Sequence, residues 1–290
     1  MKIALSTDTS CTISKKLATE LDIRVFPLNV IVDGEEFLDG ISIEQDQLLE
    51  AMRSEKSIKT STPPPGDVIA YFEKIFAEGY DRIIHFTISS KLSSMYQLFS
   101  DISRDYFQNR VTVIDSYAVC SLMLSHVLFA YECLQEKMDP EEIKAKIEER
   151  KKDNFISFIP ENLTALKNGG RISPAIAALG NMIGLKPVLL MKDGELSKDS
   201  MTRNVKKTMT EQIETLVGKY DVAKYDYSIV SFDGNETMIR FIQEMISKTY
   251  PSYSVHVFPI AINVCAHCGP GTVGLIITPR IGKKSLNDYI

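Results

Sequence analysis

The sequence predicts a two-domain α/β protein, with a mainly parallel sheet in the N-terminal domain and a mixed sheet in the C-terminal domain. Three observations carry this. Short apolar runs alternate with helically periodic segments through the first half, the pattern of βαβ units. The chain has 290 residues, about twice a domain of ~150. In the second half Asp193-Gly194 separates two extended runs, a hairpin signal that adds antiparallel pairs to the crossovers.

Taken in order, residues 3–5 form a first strand that runs into a polar turn over 6–12. A helix follows with Ile13, Leu17 and Leu21 on one face and Thr12 or Ser14 at its cap. Residues 24–32 are extended, and Asp33-Gly34 turns the chain into 35–38. A short helix covers 43–53, and a polar loop braked by prolines covers 58–65. Val68, Phe72, Ile75 and Phe76 line one face of a helix that Gly79 stops. Strands at 82–86 and 111–114 alternate with helices at 94–104 and 121–136. Residues 140–153 read as a charged, solvated helix, so the domains are expected at 1–153 and 154–290. The second contains strands at 155–159, 186–191, 228–232, 254–258 and 273–277. Helices are expected up to Gly169-Gly170, near 174–182, and over 204–217 and 236–247.

Composition narrows the function classes. With 33 basic and 38 acidic residues the net charge is −5, which argues against a nucleic-acid reader built on bulk positive charge. No apolar run reaches 18 residues, so no membrane span is expected. The polar turn straight after Leu5 is too early for a signal peptide. Five cysteines without framework spacing suit a reduced, cytoplasmic chain.

Four loops carry more hydroxyls, glycines or cations than turning requires. In Lys59-Thr60-Ser61-Thr62-Pro63-Pro64-Pro65 three hydroxyls precede three prolines. The prolines lower the loop's entropy, and the segment reads either as a cap-and-turn cluster or as an anion site. Thr87, Ser89, Ser90, Ser93 and Ser94 follow the strand at 82–86 and open a helix. That is the carboxyl edge of a parallel strand, where ligands bind, and capping needs only one of the five. In Gly169-Gly170-Arg171 an arginine sits on a tight turn between helices. The fourth loop, 263–274, carries His267, a donor for a carboxylate or phosphate.

Two formal motifs in that loop do not fit their contexts. Cys265-x-x-Cys268 has no second pair and no thioredoxin-like βα junction. Gly269, Gly271 and Gly274 match G-x-G-x-x-G, but an apolar strand follows and the chain ends 16 residues later. His85, His126 and His256 lie in apolar segments and read as packing residues. No P-loop, no G-x-S-x-G elbow and no H-E-x-x-H occurs.

The loops in this order resemble the DegV family of bacterial fatty-acid-binding proteins across essentially the whole chain. The likeness rests on Ser6-Thr7-Asp8-Thr9, on Pro27-Leu28-Asn29-Val30 followed by Asp39-Gly40, and on Thr60-Ser61-Thr62-Pro63. It continues through Ser89-Ser90-Lys91-Leu92-Ser93, Gly169-Gly170-Arg171-Ile172, Lys186-Pro187 and His267-Cys268-Gly269-Pro270-Gly271. Ser94-Met95 stands where Gly-Thr is usual.

The resemblance implies a long-chain fatty acid held in an apolar tunnel between the two domains. It implies that Ser61 and Ser93, with Thr60 and Thr62 beside them, hold the carboxylate. Arg171, Arg203 and His267 are then candidates for the head-group vicinity and for docking a partner or its phosphate. The implied partner is a separate ATP-dependent fatty-acid kinase that forms an acyl-phosphate for phospholipid synthesis. Transient contact with a membrane or an acyltransferase fits the same scheme. No cofactor, metal or nucleic acid is expected, and no catalysis by the chain itself. The alternatives are a lipid carrier or store without a kinase, and an enzyme acting alone. The latter would be a hydrolase pairing His267 with Ser93, or a redox protein using Cys265 and Cys268.

Overall fold

The computed structural model describes residues 1–160, 163–173, 176 and 185–290. The apolar helix expected near 174–182 lies outside these residues, Ile176 apart.

The N-terminal half is built on a parallel sheet ordered β2-β1-β6-β7, where β1 is Ile3–Asp8, β2 Ile23–Phe26, β6 Arg82–Thr87 and β7 Val111–Asp115. Strand periodicity divides its two faces. Ala4, Ile83 and Val113 turn toward α3 (Pro65–Ala77) and α4 (Met95–Phe107), packing on Phe72 and Phe99. Leu5, Ile84, Phe86 and Ile114 turn toward α5 (Cys120–Gln135). The stretch 24–32, read as one extended run, is two strands that part at Pro27. β3 (Asn29–Val32) leaves the parallel sheet and is flanked by β4 (Glu35–Leu38) and β5 (Ile58–Ser61) in a three-stranded antiparallel sheet. The expected loop at 58–65 is therefore a strand through Ser61.

The C-terminal half carries a six-stranded mixed sheet, ordered β10-β9-β8-β13-β11-β12. Its members are β8 (Phe155–Ile159), β9 (Lys186–Lys192), β10 (Glu195–Thr202), β11 (Tyr225–Ser231), β12 (His256–Pro259) and β13 (Val273–Pro279). The β11–β12 pair is parallel and the other pairs are antiparallel. The expected Asp193-Gly194 hairpin joins β9 and β10, with φ of 50° and 83° at its two turn residues. Positive φ at both positions is what a two-residue turn matched to strand twist requires. One face of this sheet, including Ile229, Leu275 and Ile277, packs on α8 (Val205–Lys219) and α9 (Glu236–Thr249). The other face meets α5.

Helix α5 is consequently buried on both sides, and every residue from Cys120 to Leu128 is buried. This explains a helix that is apolar all round rather than striped. The segment expected as a solvated connector is α6 (Pro140–Arg150). Its charges do cover one side, but Ile143 and Ile147, one turn apart, are 0% exposed and dock it on α5. Arg150 is buried too, donating to the Arg280 carbonyl at 3.0 Å and the Ser125 hydroxyl at 2.7 Å. Asp139 and Glu142 cap the helix reciprocally. Among the described residues no helix is long and apolar enough to cross a membrane.

Candidate functional site

A cavity of about 110 Å³ opens where the carboxyl edge of the parallel sheet and β5 face the mixed sheet. Strand alternation sends Ile156, Met191, Val230 and Ile276 from four strands of the mixed sheet to its wall. Ile88, Leu92 and Met95 close the opposite side. The polar side chains that line it include Thr60, Ser61, Ser93, Arg171, Asn263 and His267, with Asn29 and Thr272.

The serine-rich loop after β6 is pinned by carboxylates at the ends of both neighbouring strands. Asp8 Oδ2, on β1, accepts the Ile88 amide at 2.8 Å. Asp115 Oδ1, on β7, accepts the Ser90 amide at 3.0 Å. Burial pushes Asp8 up to about 6, against hydrogen bonds from Ser10 and the Ile88 amide that pull it down. The loop is tied across the cavity as well, because Ser89 Oγ donates to the Gly194 carbonyl at 2.6 Å. A Cβ on Gly194 would sit 2.5 Å from that hydroxyl, so only glycine admits the contact. Held this way, Ser93 lines the cavity. Its Oγ accepts a long bond from the Met95 amide at 3.4 Å, which leaves the hydroxyl proton for a ligand.

Opposite this loop stands β5. Ser61 Oγ is buried and has no partner among the described residues, an expensive state unless something else accepts its proton. Thr60 Oγ1 lies 2.9 Å from His267 Nε2. Thr62 is exposed and outside the cavity lining; it pairs with Ser94 Oγ at 2.9 Å.

The expected loop at 263–274 begins instead as a helix, α10 (Ile262–Cys268), so His267 projects from a helical face. Burial, and then the Arg171 charge, hold His267 down to about 4; the ring is neutral near pH 7. Its Nδ1 faces Gly169, where a Cβ would lie 2.2 Å away. Gly169 is thus the space the imidazole occupies, a requirement beyond the helix stop read from the sequence. Arg171 spans to the serine loop, donating from Nε to the Leu92 carbonyl at 3.2 Å and from Nη1 to the Gly169 carbonyl. Burial pushes its guanidinium down. Arg203 is exposed beyond the end of β10 and is not among the lining residues. The cavity therefore brings together Thr60, Ser61, Ser93, Arg171 and His267, and leaves out Thr62 and Arg203.

Asn263 and Asp39 join the site without a signal in the local sequence pattern. Asn263 lines the cavity, and its side-chain amide donates to Asp39 Oδ2 at 2.7 Å. Asp39-Gly40 is visible in the sequence, but a bond to a residue 224 positions away leaves no local signal. Cys265 and Cys268 are buried free thiols, and burial raises Cys265 far above an ordinary thiol. Among the described residues no three His, Cys, Asp or Glu side chains are grouped to hold a metal ion. Tyr71, Ser6 and His85 form a buried chain, with 2.7 Å between each pair, and His85 stacks on Phe99, away from the cavity lining. The site is a mainly apolar slot that also presents hydroxyl donors and a neutral imidazole, fit for an apolar chain with one anionic head.

Comparison with known proteins is consistent across the length of the chain. A family model described as "Uncharacterised protein, DegV family" matches residues 2–280. A DegV domain-containing protein of Mycoplasmopsis pulmonis is 27% identical over 290 residues, covering 100% of this chain and 99% of that one. Among solved structures, a DegV family protein from Thermus thermophilus, described as binding fatty acid, is 29% identical with a TM-score of 0.87. The likeness covers 96% of this chain and all of that one. A Thermotoga maritima protein, whose structure is described as revealing fatty acid binding function, is 26% identical with a TM-score of 0.80, over 96% and 99% of the two chains.

Proposed function

The chain belongs to the DegV family, and from that premise we propose that it binds one long-chain fatty acid in the cavity, at the junction of domains 1–153 and 154–290. The observation that carries this reading is the buried Ser61 hydroxyl, without a partner among the described residues, in a slot whose lining is mainly apolar. Ser61 and Ser93 take the carboxylate from opposite walls, with Thr60 and His267 beside them. About fourteen methylenes at ~0.8 kcal/mol each supply roughly 11 kcal/mol before association costs, enough for tight binding without a covalent bond.

The head-group chemistry favours presentation over storage. Hydroxyls and a neutral imidazole take the carboxylate directly, while the Arg171 guanidinium donates to the Leu92 and Gly169 carbonyls, so the acid keeps its nucleophilicity. A separate ATP-dependent kinase then attaches phosphate to it, and the acyl-phosphate passes toward phospholipid synthesis. Arg171 lines the same cavity to steady phosphate charge, and exposed Arg203 is available to a docking partner. Thr62 belongs to the rim, where its bond to Ser94 joins the two head-group loops. The chain itself transfers no phosphate and works in the cytoplasm without a cofactor.

Native mass spectrometry of delipidated protein mixed with hexadecanoate tests the binding step. A one-to-one adduct is expected, and its absence contradicts the reading. Adding an ATP-dependent fatty-acid kinase then separates presenter from carrier: a presenter yields acyl-phosphate, a carrier does not. Turnover of ATP by the chain alone would overturn the division of labour.

A further inference from the structure

Helix α10 carries His267 at one end and has no side-chain cap at the other, because its N-cap residue is Ala261. The missing acceptor comes from the far half of the chain. Asp39 Oδ2 accepts both the Asn263 backbone amide, at 3.1 Å, and the Asn263 side-chain amide, at 2.7 Å. Asp39 and Asn263 are each 5% exposed, so this two-pronged contact is shielded from water. Asn263 also donates to Thr9 Oγ1 at 3.3 Å, which itself accepts the Leu28 amide at 3.2 Å. The start of α10 is thereby bolted to the N-terminal half, beside a second tie in which Gln45 Nε2 donates to the Ile260 carbonyl at 2.8 Å.

At the opposite end His267 meets Thr60 at 2.9 Å. Asn263 and His267 are four residues apart, hence one turn apart on the same helical face, and both line the cavity. The helix has seven residues, about 10 Å of rigid rod. Gly169 and Thr60 confine the imidazole from its two sides, but neither fixes how far along its axis α10 advances. Asp39 does.

We infer that Asp39 is a positioning residue for the head-group end of the cavity: by capping α10 through Asn263 it sets the depth at which His267 and Thr60 meet a bound acid. The inference rests on the acyl-binding reading and assigns it a residue that does not touch the ligand. A merely structural Asp39 would affect every ligand of the cavity alike. A positioning Asp39 affects the acid head and spares the tail.

The test compares hexadecanoate with hexadecan-1-ol on the delipidated full-length chain. Asp39→Asn keeps the shape and one acceptor oxygen but removes the negative charge that strengthens both bonds from Asn263. Acid affinity is expected to fall about tenfold, the scale of a displaced hydrogen bond to a charged group, while alcohol affinity stays within about twofold. The His267 imidazole resonances should move in the same variant without ligand. The reciprocal pair Asp39→Asn with Asn263→Asp restores a charged donor–acceptor contact and should recover most of the acid affinity. Equal losses for both probes, or no loss, overturn the proposal, as does a reciprocal pair no better than the single change. If Asp39→Asn does not fold, the reciprocal pair alone decides by the same acid-to-alcohol comparison; if neither folds, Asp39 is a stability residue and the proposal is wrong. A wild-type chain that binds neither probe defeats the acyl-binding reading itself, and this proposal with it.

Discussion

The two parts of the cavity are built on opposite principles. Along the apolar wall Ile156, Met191, Val230 and Ile276 come from four strands of one sheet face, and their contribution is area removed from water. Exchange one for another apolar residue and little changes in kind. At the head end each polar atom depends on a specific tether: Asp8 and Asp115 hold the serine loop, Gly169 makes room for His267, and Asp39 sets α10. Small displacements matter there, because hydrogen bonds are short-ranged and directional while burial is neither. Affinity therefore belongs mainly to the tail and selectivity for an acid mainly to the head.

Varying chain length probes the tail and carries the largest effect. Octanoate lacks eight of the methylenes of hexadecanoate, worth up to ~6 kcal/mol at about 0.8 each. Displacement titrations should show at least a thousandfold gap; near-equal affinities would mean that the apolar wall is not used. Gly169→Ala tests a tether at the head. Its methyl would approach His267 Nδ1 to 2.2 Å, and overpacking of this kind costs about 1–3 kcal/mol. A thermal melt should show the loss, and an unchanged midpoint would place the imidazole elsewhere.

Acid titration separates the two ends in another way, since the apolar wall does not titrate. His267 is held down to about 4, against about 6.5 in an unfolded chain. Its neutral form thus contributes stability that is complete above 6.5 and lost as pH falls toward 4. Between pH 7 and 5 the wild type should lose about 2 kcal/mol relative to His267→Gln, measured by denaturant unfolding at each pH. Identical slopes for the two proteins would contradict a buried, neutral ring. The smallest effects come from single hydroxyls. Ser61→Ala and Ser93→Ala should each weaken hexadecanoate binding about tenfold, the scale of one hydrogen bond to a charged group. Ser61→Ala should leave stability within about 0.5 kcal/mol, because its Oγ has no partner to orphan among the described residues. Undiminished binding in both variants would remove the serines from the site.

Much of the head end was legible because its chemistry is local. Hydroxyls crowd Thr60–Thr62 and Thr87–Ser94, prolines stiffen one loop, and Gly169-Gly170-Arg171 is unusual for a plain helix stop. The parallel sheet was equally readable from its alternating segments. What the local pattern hid was long-range pairing. Residues 58–61 look like a polar loop until β3 supplies a partner strand. Residues 262–268 resemble a glycine-edged loop because α10 takes its cap from Asp39 rather than from its own N-cap residue. The tail end was illegible for a different reason. A residue lining an apolar cavity and one filling a core obey the same alternation, so Val230 and Ile229 differ only in which face they take. The buried pair Ile143 and Ile147 was masked in the same way, by the charges that surround it in the sequence.

The claim on which the rest depends is that one slot separates an apolar tail from a hydroxyl-held acid. A crystal structure of the chain soaked with hexadecanoate addresses it directly. The account predicts continuous density along Ile156, Met191, Val230 and Ile276, with the carboxylate within hydrogen-bond reach of both Ser61 Oγ and Ser93 Oγ. An empty slot, or a chain lying with its acid away from both serines, would contradict it.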